Sequence, residues 1–346
     1  MHVLFNRLSL ESLFCFLAWR KDDRWSMMTP FVLQQAAEHD LPAIAHLAEQ
    51  ADPQEWCDYE AADPDELQRF DRGVAAAGSQ ATRWIARSST GQVIGTALQF
   101  AVPWTIRQHL HWAVIRVAPP FRRQGVGRAL LAACRVQMRD QGGQTLALEL
   151  RLCLEPLLVQ AAADGLSEAF RSIPFGLNPQ HADLAALAPA AARAAAHAVQ
   201  ITTLPVLQAE DPAWLSKLHR LYHQILREVP IPERPTFDPP QLAEYLAALP
   251  DACFVAVREQ QYLGLSFMLP GSEPNTLLQK LTGVATDARG QGVAMALKLA
   301  TIEYARQQQI EQIITWIETN NPAMLHLSDR LGFRQLEDGI IVLEGR

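Results

Sequence analysis

The chain contains 346 residues, which suffices for two domains of ordinary size or for one large α/β unit. Hydrophobic residues make up 49% and charged residues 19%, with 18 Gly and 22 Pro, and this composition excludes disordered, collagen-like and coiled-coil chains. The formal net charge of −7 leaves no basic footprint, so we expect no nucleic-acid partner, although local anion pockets are compatible with it.

Cysteine usage and hydropathy bear on the cellular compartment. The cysteines include no C-x-x-C pair, which predicts reduced cytosolic thiols and no metal site. They are Cys15, Cys57, Cys134, Cys153 and Cys253. No apolar run reaches the roughly 18 residues that a membrane-spanning helix needs. We therefore expect a cytoplasmic protein without a membrane partner.

Residues 1–28 form an N-terminal extension that we predict to lie outside the fold. The apolar segment Leu8–Trp19 makes a poor signal peptide, because Glu11 interrupts it and no small-x-small cleavage site follows. Translation starts either at Met1 or at the Met27-Met28 pair, which directly precedes a well-patterned segment.

The first half of the chain begins with a short predicted strand, Phe31–Leu33. A helix follows at Asp40-Leu41-Pro42, with Asp40 as N-cap and the proline in the first turn. Alternating apolar residues and turn signals then predict three strands, over Thr82–Ala86, Gln92–Val102 and His111–Val117.

The second half repeats this order. Ile201–Leu207 is predicted as its opening strand and Asp211-Pro212 as its helix start, followed by strands over Cys253–Val257, Tyr262–Leu269 and Leu277–Val284. Between the halves, the Ala-rich stretch from His181 to Val199 predicts a helical connector.

A glycine-rich segment follows the third of these strands in each half. The two segments align without a gap at an offset of 167 residues, so one folding unit occurs twice. They are Arg122-Arg123-Gln124-Gly125-Val126-Gly127-Arg128 and Arg289-Gly290-Gln291-Gly292-Val293-Ala294-Met295.

A strand that ends at a glycine-rich bend before a long helix is the local design of an anion cradle, because loop N–H groups and the helix dipole converge on a phosphate. The alternative is a tight turn that binds nothing, and two copies in register favour the cradle. A Walker loop is excluded because no Gly-Lys-Ser/Thr follows, and a dinucleotide fingerprint is excluded because Leu130 stands where its third glycine belongs.

At these segments the chain resembles the GCN5-related N-acetyltransferase (GNAT) superfamily, whose acetyl-CoA motif is Q/R-x-x-G-x-G/A between the fourth strand and the third helix. The resemblance covers nearly the whole chain after Met28 as two tandem units, an arrangement similar to that of mycothiol synthase. In the second unit it extends to Ile313–Trp316 as fifth strand and to Asn321–Phe333 as closing helix and turn.

The resemblance implies an α/β (α+β) fold with two tandem GNAT-like domains, residues 29–198 and 199–346, each a mixed and mainly antiparallel sheet flanked by helices. It also implies acetyl-CoA as the cosubstrate. In the second unit, the strand at Thr282, Gly283 and Val284 would pair with the pantetheine arm, and the loop Arg289, Gly290, Gln291, Gly292, Val293, Ala294 and Met295 would hold the pyrophosphate.

The matching cofactor positions of the first unit are Ile115, Arg116 and Val117 on the strand, and Arg122, Arg123, Gln124, Gly125, Val126, Gly127 and Arg128 in the loop. Asn321 matches the family's asparagine near the cofactor arm. Its other role, a helix cap ahead of Pro322, is compatible with the first.

Two departures from the family pattern bear on catalysis. Ser328 stands where many relatives have the tyrosine that protonates the departing thiolate, and a serine hydroxyl is a far weaker acid. The segment Leu166–Phe175, which should close the first unit, does not follow the pattern. We therefore expect the chemistry in the second unit, with the first unit binding CoA.

Acetyl transfer to an amine needs a base, a donor to the oxyanion, and protonation of the thiolate. The resemblance implies a backbone N–H donor near Val284. The catalytic candidates are Glu318, His326 and Ser328, with Glu273 as a further carboxylate. A solvated strand end for Glu318 and a surface or packing role for His326 are the alternatives.

Two further features keep two interpretations each. The proline-rich segment Val229–Pro240 is either a specificity loop or a stiff connector. The side chains of Trp56, Tyr59 and Trp104 either line a substrate cleft or belong to the core.

These features predict an acyl-CoA-dependent N-acetyltransferase that acts on a primary amine of a small molecule. One alternative is a catalytically silent module that binds or senses CoA or mediates an interaction. Another is an acetyltransferase that acts on a peptide or protein N-terminus. The sequence identifies neither the amine nor the oligomeric state.

Overall fold

The computed structural model describes residues 31–50, 61–102, 105, 107, 109–229, 236–271, 273–336 and 339–346. These residues form two compact units. The first contains the described residues through 171 together with 339–346, and the second contains 172–336. The N-terminal extension, Cys15, Cys57, the three aromatic cleft candidates of the first half and residues 230–235 of the proline-rich segment lie outside the described residues.

The sheet of the first unit has the order β1-β2-β3-β4-β5, and its pairs are antiparallel except for the parallel pair β4–β5. The strands are β1 Phe31–Gln35, β2 Thr82–Ser88, β3 Val93–Ala101, β4 Leu110–Val117 and β5 Thr145–Arg151. The helices are α1 Leu41–Glu49, α2 Pro64–Ala76, α3 Val126–Asp140 and α4 Leu158–Ala163. Strand β6, Ser167–Leu177, crosses from the first unit into the second.

The second unit repeats the plan with the order β6-β11-β10-β9-β8-β7, in which β10–β11 is the parallel pair. Its strands are β7 Gln200–Thr203, β8 Cys253–Arg258, β9 Gln261–Pro270, β10 Thr276–Val284, β11 Gln312–Glu318 and β12 Arg334–Gln335, the last pairing with β6. Its helices are α5 Leu184–Ala196, α6 Leu204–Glu210, α7 Trp214–Leu226, α8 Pro239–Leu246, α9 Val293–Gln307 and α10 Pro322–Leu331.

Each unit uses a strand encoded in the other half of the sequence. The last strand, β13 Ile340–Gly345, pairs antiparallel with β5 in the first unit. Residues 172–177 of β6 pair antiparallel with β11 in the second unit. This exchange is the physical reason that Leu166–Phe175 departs from the family pattern, because the segment supplies a strand to the second unit.

The predicted fold class is confirmed, since both units are mixed, mainly antiparallel sheets with flanking helices. The prediction for Ile201–Leu207 is wrong beyond Thr203, because Pro205 occupies the first turn of helix α6, where proline is well tolerated. The boundary between residues 198 and 199 stays a prediction about where the sequence repeats join, whereas the compact units divide at 171/172 and 337/338.

A glycine in each sheet lets the helix that follows the glycine-rich loop approach closely. A Cβ at Gly95 on β3 would lie 2.8 Å from Cγ1 of Val126, the first residue of α3. A Cβ at Gly264 on β9 would lie 3.1 Å from Cγ1 of Val293, the first residue of α9. Both helix starts are therefore seated directly on the sheet. No helix among the described residues is both long and apolar enough to traverse a bilayer.

Candidate functional site

Strands β10 and β11 of the second unit separate halfway along their length. They pair in parallel from Thr276 to Gln279, and over the described residues that follow, β10 pairs with β9. A register shift between Gln279 and Leu281 places a β-bulge at Lys280, where the separation begins. The backbone from Leu281 to Val284 thus has an edge turned away from β9, to which an extended amide-containing ligand can bind.

The buried side chain of Gln279 holds this bulge in place. Its Nε2 donates to the carbonyl of Phe267 at 2.8 Å and to that of Leu281 at 3.2 Å, on either side of the irregularity. Thr315 Oγ1 donates to the Gln279 carbonyl at 3.4 Å. The Thr282 hydroxyl is within 2.8 Å of Ser266 Oγ.

We call the gap where two parallel neighbouring strands separate the notch: it lies between β10 and β11 in the second unit and between β4 and β5 in the first. The notch of the first unit has no bulge. Strand β4 pairs in parallel with β5 from Leu110 to Ala113, and its pairing with β3 runs in one continuous register from His111 to Val117. The notch residues Ile115 and Val117 face the core with α3, so Arg116 points to the opposite face of the sheet.

The loop of the second unit turns through two glycines in the left-handed region. Gly290 has a φ of +74° and Gly292 a φ of +84°, and α9 begins at the next residue, Val293. Gln291 Nε2 donates to the Asp287 carbonyl at 3.0 Å and braces the loop. Because the first N–H groups of a helix have no partner inside it, the backbone from Val293 through Ala294 and Met295 offers donors to an anion.

The loop of the first unit has the same geometry with a different residue at one bend. Arg123 has a φ of +65° and Gly125 a φ of +85°, and Gln124 Nε2 donates to the Pro120 carbonyl at 3.0 Å. Helix α3 begins at Val126. A Cβ added at Gly125 or at Gly290 would meet nothing within 4 Å, so the space over both bends is open to a ligand.

The arginines that precede these bends bind their own strands. Arg122 Nε donates to the Val117 carbonyl at 3.1 Å, and Arg289 Nε donates to the Val284 carbonyl at 3.3 Å. Arg128, in contrast, is turned away from the loop, because its Nε donates to the Asp164 carboxylate at 2.8 Å. Its contribution to an anion site is therefore that of its main chain.

Arg289 carries a further contact. Its guanidinium pairs with the carboxylate of Glu228, which also accepts a hydrogen bond from Thr286 Oγ1 at 3.0 Å. The hydrogen bonds from Arg289 and Thr286 hold the pKa of Glu228 below its usual range. An acidic group that the sequence analysis missed thus lies beside the second loop, 61 positions before the arginine it binds.

Of the catalytic candidates, the structure brings Glu318 and Asn321 together at the end of β11. Burial raises the pKa of the Glu318 carboxyl, and this effect outweighs the hydrogen bonds from a main-chain N–H and from the Asn321 side chain. Asn321 is also the N-cap of α10, where its Oδ1 accepts from the Met324 N–H at 3.3 Å. The capping role is confirmed and leaves the role beside the cofactor arm a prediction.

The remaining catalytic candidates differ from Glu318 and Asn321 in their exposure to solvent. His326 and Glu273 are exposed. Ser328 is completely buried, and its Oγ has no hydrogen-bond partner among the described residues. A buried hydroxyl is badly placed to meet a departing thiolate, so the structure adds nothing in favour of Ser328 as an acid.

In the first unit, the sheet face opposite α3 carries three buried charged residues beside the notch. Arg116, Glu149 and Arg151 are 2%, 2% and 4% exposed, and the sequence analysis singled out only the first of them. The residues at the corresponding positions of the second unit, 167 places later, are Gly283, Trp316 and Glu318. Charged residues within an otherwise apolar strand sequence are the pattern from which Glu149 and Arg151 could have been identified.

Gly283 is required by a neighbouring helix. A Cβ there would lie 2.1 Å from Cγ2 of Ile225, so α7 packs directly on the notch strand of the second unit. Elsewhere in this unit, a cavity of about 530 Å³ opens between the end of β6 and the end of α10, lined by residues that include Gly176, His181 and Asp329. None of the predicted site residues lines it.

Comparisons with known proteins agree with this duplicated design. The model of the acetyltransferase (GNAT) family matches residues 41–156 and 218–333. A mycothiol acetyltransferase of Rhodococcus jostii (strain RHA1) is 29% identical over 91 residues, which cover 25% of this chain and 30% of the relative. That of Saccharomonospora viridis is 34% identical over 65 residues, 19% of this chain and 21% of the relative. The chain thus spans less than a third of the length of these relatives.

Solved structures share the fold over nearly the whole chain. A GCN5-related N-acetyltransferase from Sphaerobacter thermophilus aligns with a TM-score of 0.63 at 14% identity, covering 92% of this chain and 96% of that one. A tandem GNAT protein from the clavulanic acid biosynthesis pathway aligns with a TM-score of 0.60 at 16% identity, covering 91% and 98%. Likeness at these identities shows the tandem fold.

Proposed function

The chain belongs to the acetyltransferase (GNAT) family, and from this premise we propose that it moves the acetyl group of acetyl-CoA to a primary amine of a small molecule. The observation that carries the proposal is the pair of loops with left-handed bends, each at a helix start and each beside a notch between parallel strands. Helix N–H groups suit a pyrophosphate, and a strand edge suits the amides of a pantetheine arm.

The residues present fit acetyl-CoA in both units. The space over Gly125 and Gly290 is open, and the first N–H groups of α3 and α9 have no acceptor inside their own helices. When bound, acetyl-CoA supplies a thioester whose carbonyl carbon accepts the amine. The chain's own part is to hold the phosphates at the loops and to fix the thioester arm along Thr282, Gly283 and Val284.

We assign the chemistry to the second unit. The bulge at Lys280 re-aims the notch backbone there, which suits main-chain donors to a developing oxyanion. The bulge lies four residues before Val284, and the family resemblance implies a backbone N–H donor to the oxyanion near Val284. Glu318, with its raised pKa, is the base that takes a proton from the incoming ammonium group.

The proton balance follows from these roles. The ammonium loses one proton to Glu318, the free amine forms a C–N bond with the carbonyl carbon, and the C–S bond breaks. The second nitrogen proton ends on the thiolate sulfur, and Glu318 returns its proton to solvent. A free thiol and an amide are the products.

Incubation of the full chain with acetyl-CoA and a panel of primary amines tests the proposal. The panel contains amino sugars, amino alcohols and a short peptide with a free N-terminus, and the readout is the release of free thiol. Turnover on a small amine supports the proposal. Turnover confined to the peptide supports action on a peptide or protein N-terminus instead.

A second candidate function rests on the burial of Ser328 and on the unbulged notch of the first unit. Both features fit a module that binds CoA without acetyl transfer. Tight binding of CoA by calorimetry, together with no thiol release on any amine, favours this candidate over the enzyme.

A further inference from the structure

Two histidines on α7 converge on one carbonyl oxygen. His219 and His223 lie one helical turn apart and are half-buried. Nε2 of His219 is 2.8 Å from the Phe237 carbonyl oxygen, Nε2 of His223 is 3.1 Å from the same oxygen, and the two Nε2 atoms are 3.1 Å apart. Three atoms that carry lone pairs thus form a nearly equilateral triangle.

With both imidazoles neutral, hydrogen bonds cannot account for all three of these close contacts at once. If both imidazoles carry their proton on Nε2, both donate to the carbonyl and two N–H groups face each other across 3.1 Å. If only one does, the lone pair of the other nitrogen faces the carbonyl oxygen. Two protonated rings would place two positive charges in contact.

A divalent cation satisfies every edge at once. Ligand atoms about 2.0–2.1 Å from a tetrahedral zinc ion lie about 3.3 Å from one another, close to the edges seen here. We propose that His219, His223 and the main-chain carbonyl of Phe237 form a binding site for a divalent transition metal ion of the imidazole-preferring kind, with Co²⁺ and Zn²⁺ as the probes.

The carbonyl is held rigidly enough to act as a ligand. The Phe237 ring packs between Tyr222 and Tyr245, with ring centroids 5.8 Å and 4.9 Å away. The next residue, Asp238, forms a capping box with Gln241, whose side chain accepts from the Asp238 N–H at 2.9 Å. The peptide that carries the carbonyl is therefore fixed on both sides, as outer groups fix ligands in metal sites.

The three protein ligands leave one coordination position of a tetrahedral ion to a ligand from outside the protein. Among the described residues, no group of three or more His, Cys, Asp and Glu side chains is arranged to hold a metal ion, and this site has only two such side chains. With the carbonyl as third ligand, a tetrahedral ion keeps a fourth position for water or for a small ligand. The site is thus of an exchangeable kind, and it stands whether or not the chain transfers acetyl groups.

Titration of the full chain, freed of any polyhistidine tag, with Co²⁺ tests the proposal. Co²⁺ reports tetrahedral coordination by its visible absorption bands, and Zn²⁺ should displace it. We expect one saturable equivalent in the parent protein. The variants His219→Gln and His223→Gln should each weaken binding at least about tenfold, since even outer-shell changes cost 10- to 100-fold. The exposed His197→Gln is the matched control and should bind like the parent.

Circular dichroism and thermal unfolding without metal establish that each variant is folded. If His223→Gln is not, His219→Gln decides alone. Absence of saturable binding in the parent protein overturns the proposal. So does a spectrum and stoichiometry that survive in a folded His219→Gln variant, because the ion would then be bound elsewhere.

Discussion

Arg123 and Gly290 occupy the same position of the two loops and share one backbone conformation, with φ values of +65° and +74°. A non-glycine residue in this region costs on the order of 1–2 kcal/mol. The first loop thus keeps its bend against this cost, which indicates that the bend itself, rather than the identity of the residue, is what the loop requires.

The two loops are separable by substitution at their second bends. Gly125 and Gly292 share a left-handed backbone at the start of α3 and α9, so valine at either position adds branched bulk where a pyrophosphate would approach and should remove CoA binding from its own unit. We expect Gly292→Val to abolish acetyl transfer, and Gly125→Val to lower the CoA stoichiometry while leaving transfer largely intact. Calorimetry and thiol release measure the two effects.

Gly78→Val is the matched control for these variants. Gly78 has a φ of +83° and nothing within 4 Å of an added Cβ, so it carries the same backbone strain outside either loop. It should lose stability like the loop variants while retaining both CoA equivalents. Loss of transfer in Gly125→Val with full transfer in Gly292→Val would reverse the assignment of the two units.

With Glu318 as the proposed base, we expect its carboxyl group to set the pH dependence of transfer. Because burial raises its pKa, the carboxylate forms only above the ordinary range near 4.3, and activity should rise with pH across that higher interval. Glu318→Gln should remove this limb of the profile and lower the rate on the order of 100-fold. The exposed Glu311→Gln is the charge-matched control. An unchanged limb in Glu318→Gln would show that another group is the base.

We expect Glu228 to oppose the proposed binding of an anion at the second loop. Its carboxylate pairs with the Arg289 guanidinium and places a negative charge beside the proposed pyrophosphate site. We expect Glu228→Gln to tighten CoA binding by about two- to fivefold, an effect that shrinks at high salt. Calorimetry in the Gly125→Val background isolates the second unit, and Glu244→Gln on α8 serves as control. Weaker binding in Glu228→Gln would mean that the pair instead supports the loop.

Lys298 is a buried charge that the first unit replaces with an apolar residue. It is completely buried on α9, its Nζ has no hydrogen-bond partner among the described residues, and it lies 5.2 Å from the centre of the Phe333 ring. Burial lowers the pKa of this amine to about 7. The position 167 residues earlier holds the fully buried Leu131.

This lysine should make the stability of the protein depend on pH. Between about pH 7 and about pH 10.5 the unfolded chain holds a proton that the folded lysine has lost, so the free energy of unfolding rises with pH across this interval. Lys298→Leu should stabilise the protein near neutral pH by on the order of 3 kcal/mol and flatten the dependence. The reciprocal Leu131→Lys should do the opposite. Denaturant unfolding across the interval checks both, and an equal slope in Lys298→Leu would contradict the prediction.

Local pattern was enough to place the strands and both loops. Apolar runs bounded by turn residues predicted β2, β3, β4 and their counterparts to within one or two residues, since each is fixed by its own letters. The duplicated bends could be found because glycine spacing is a local requirement. The helix cap at Asn321 was readable from Pro322 for the same reason.

Contacts between distant segments could not be read from the sequence. Nothing in the letters of Ser172–Leu177 states that their partner is Ile313–Glu318, because a strand's pairing depends on which edge is open in the folded sheet. The bulge at Lys280 has no glycine to mark it. The meeting of Glu228 with Arg289, and of two histidines with Phe237, joins elements whose approach is set by packing.

The exchanged strands also determine when each unit can complete its sheet during translation. Strand β13 leaves the ribosome 169 positions after residue 171, where the rest of the first unit ends. Until then β5, in which every second residue is leucine (T-L-A-L-E-L-R), has an unpaired edge, and residues 172–177 likewise have no β11 to pair with. Neither half of the duplicated sequence is thus a self-sufficient product of translation. A nascent chain that ends before residue 340 therefore leaves the β5 edge unpaired, and unpaired strand edges favour aggregation.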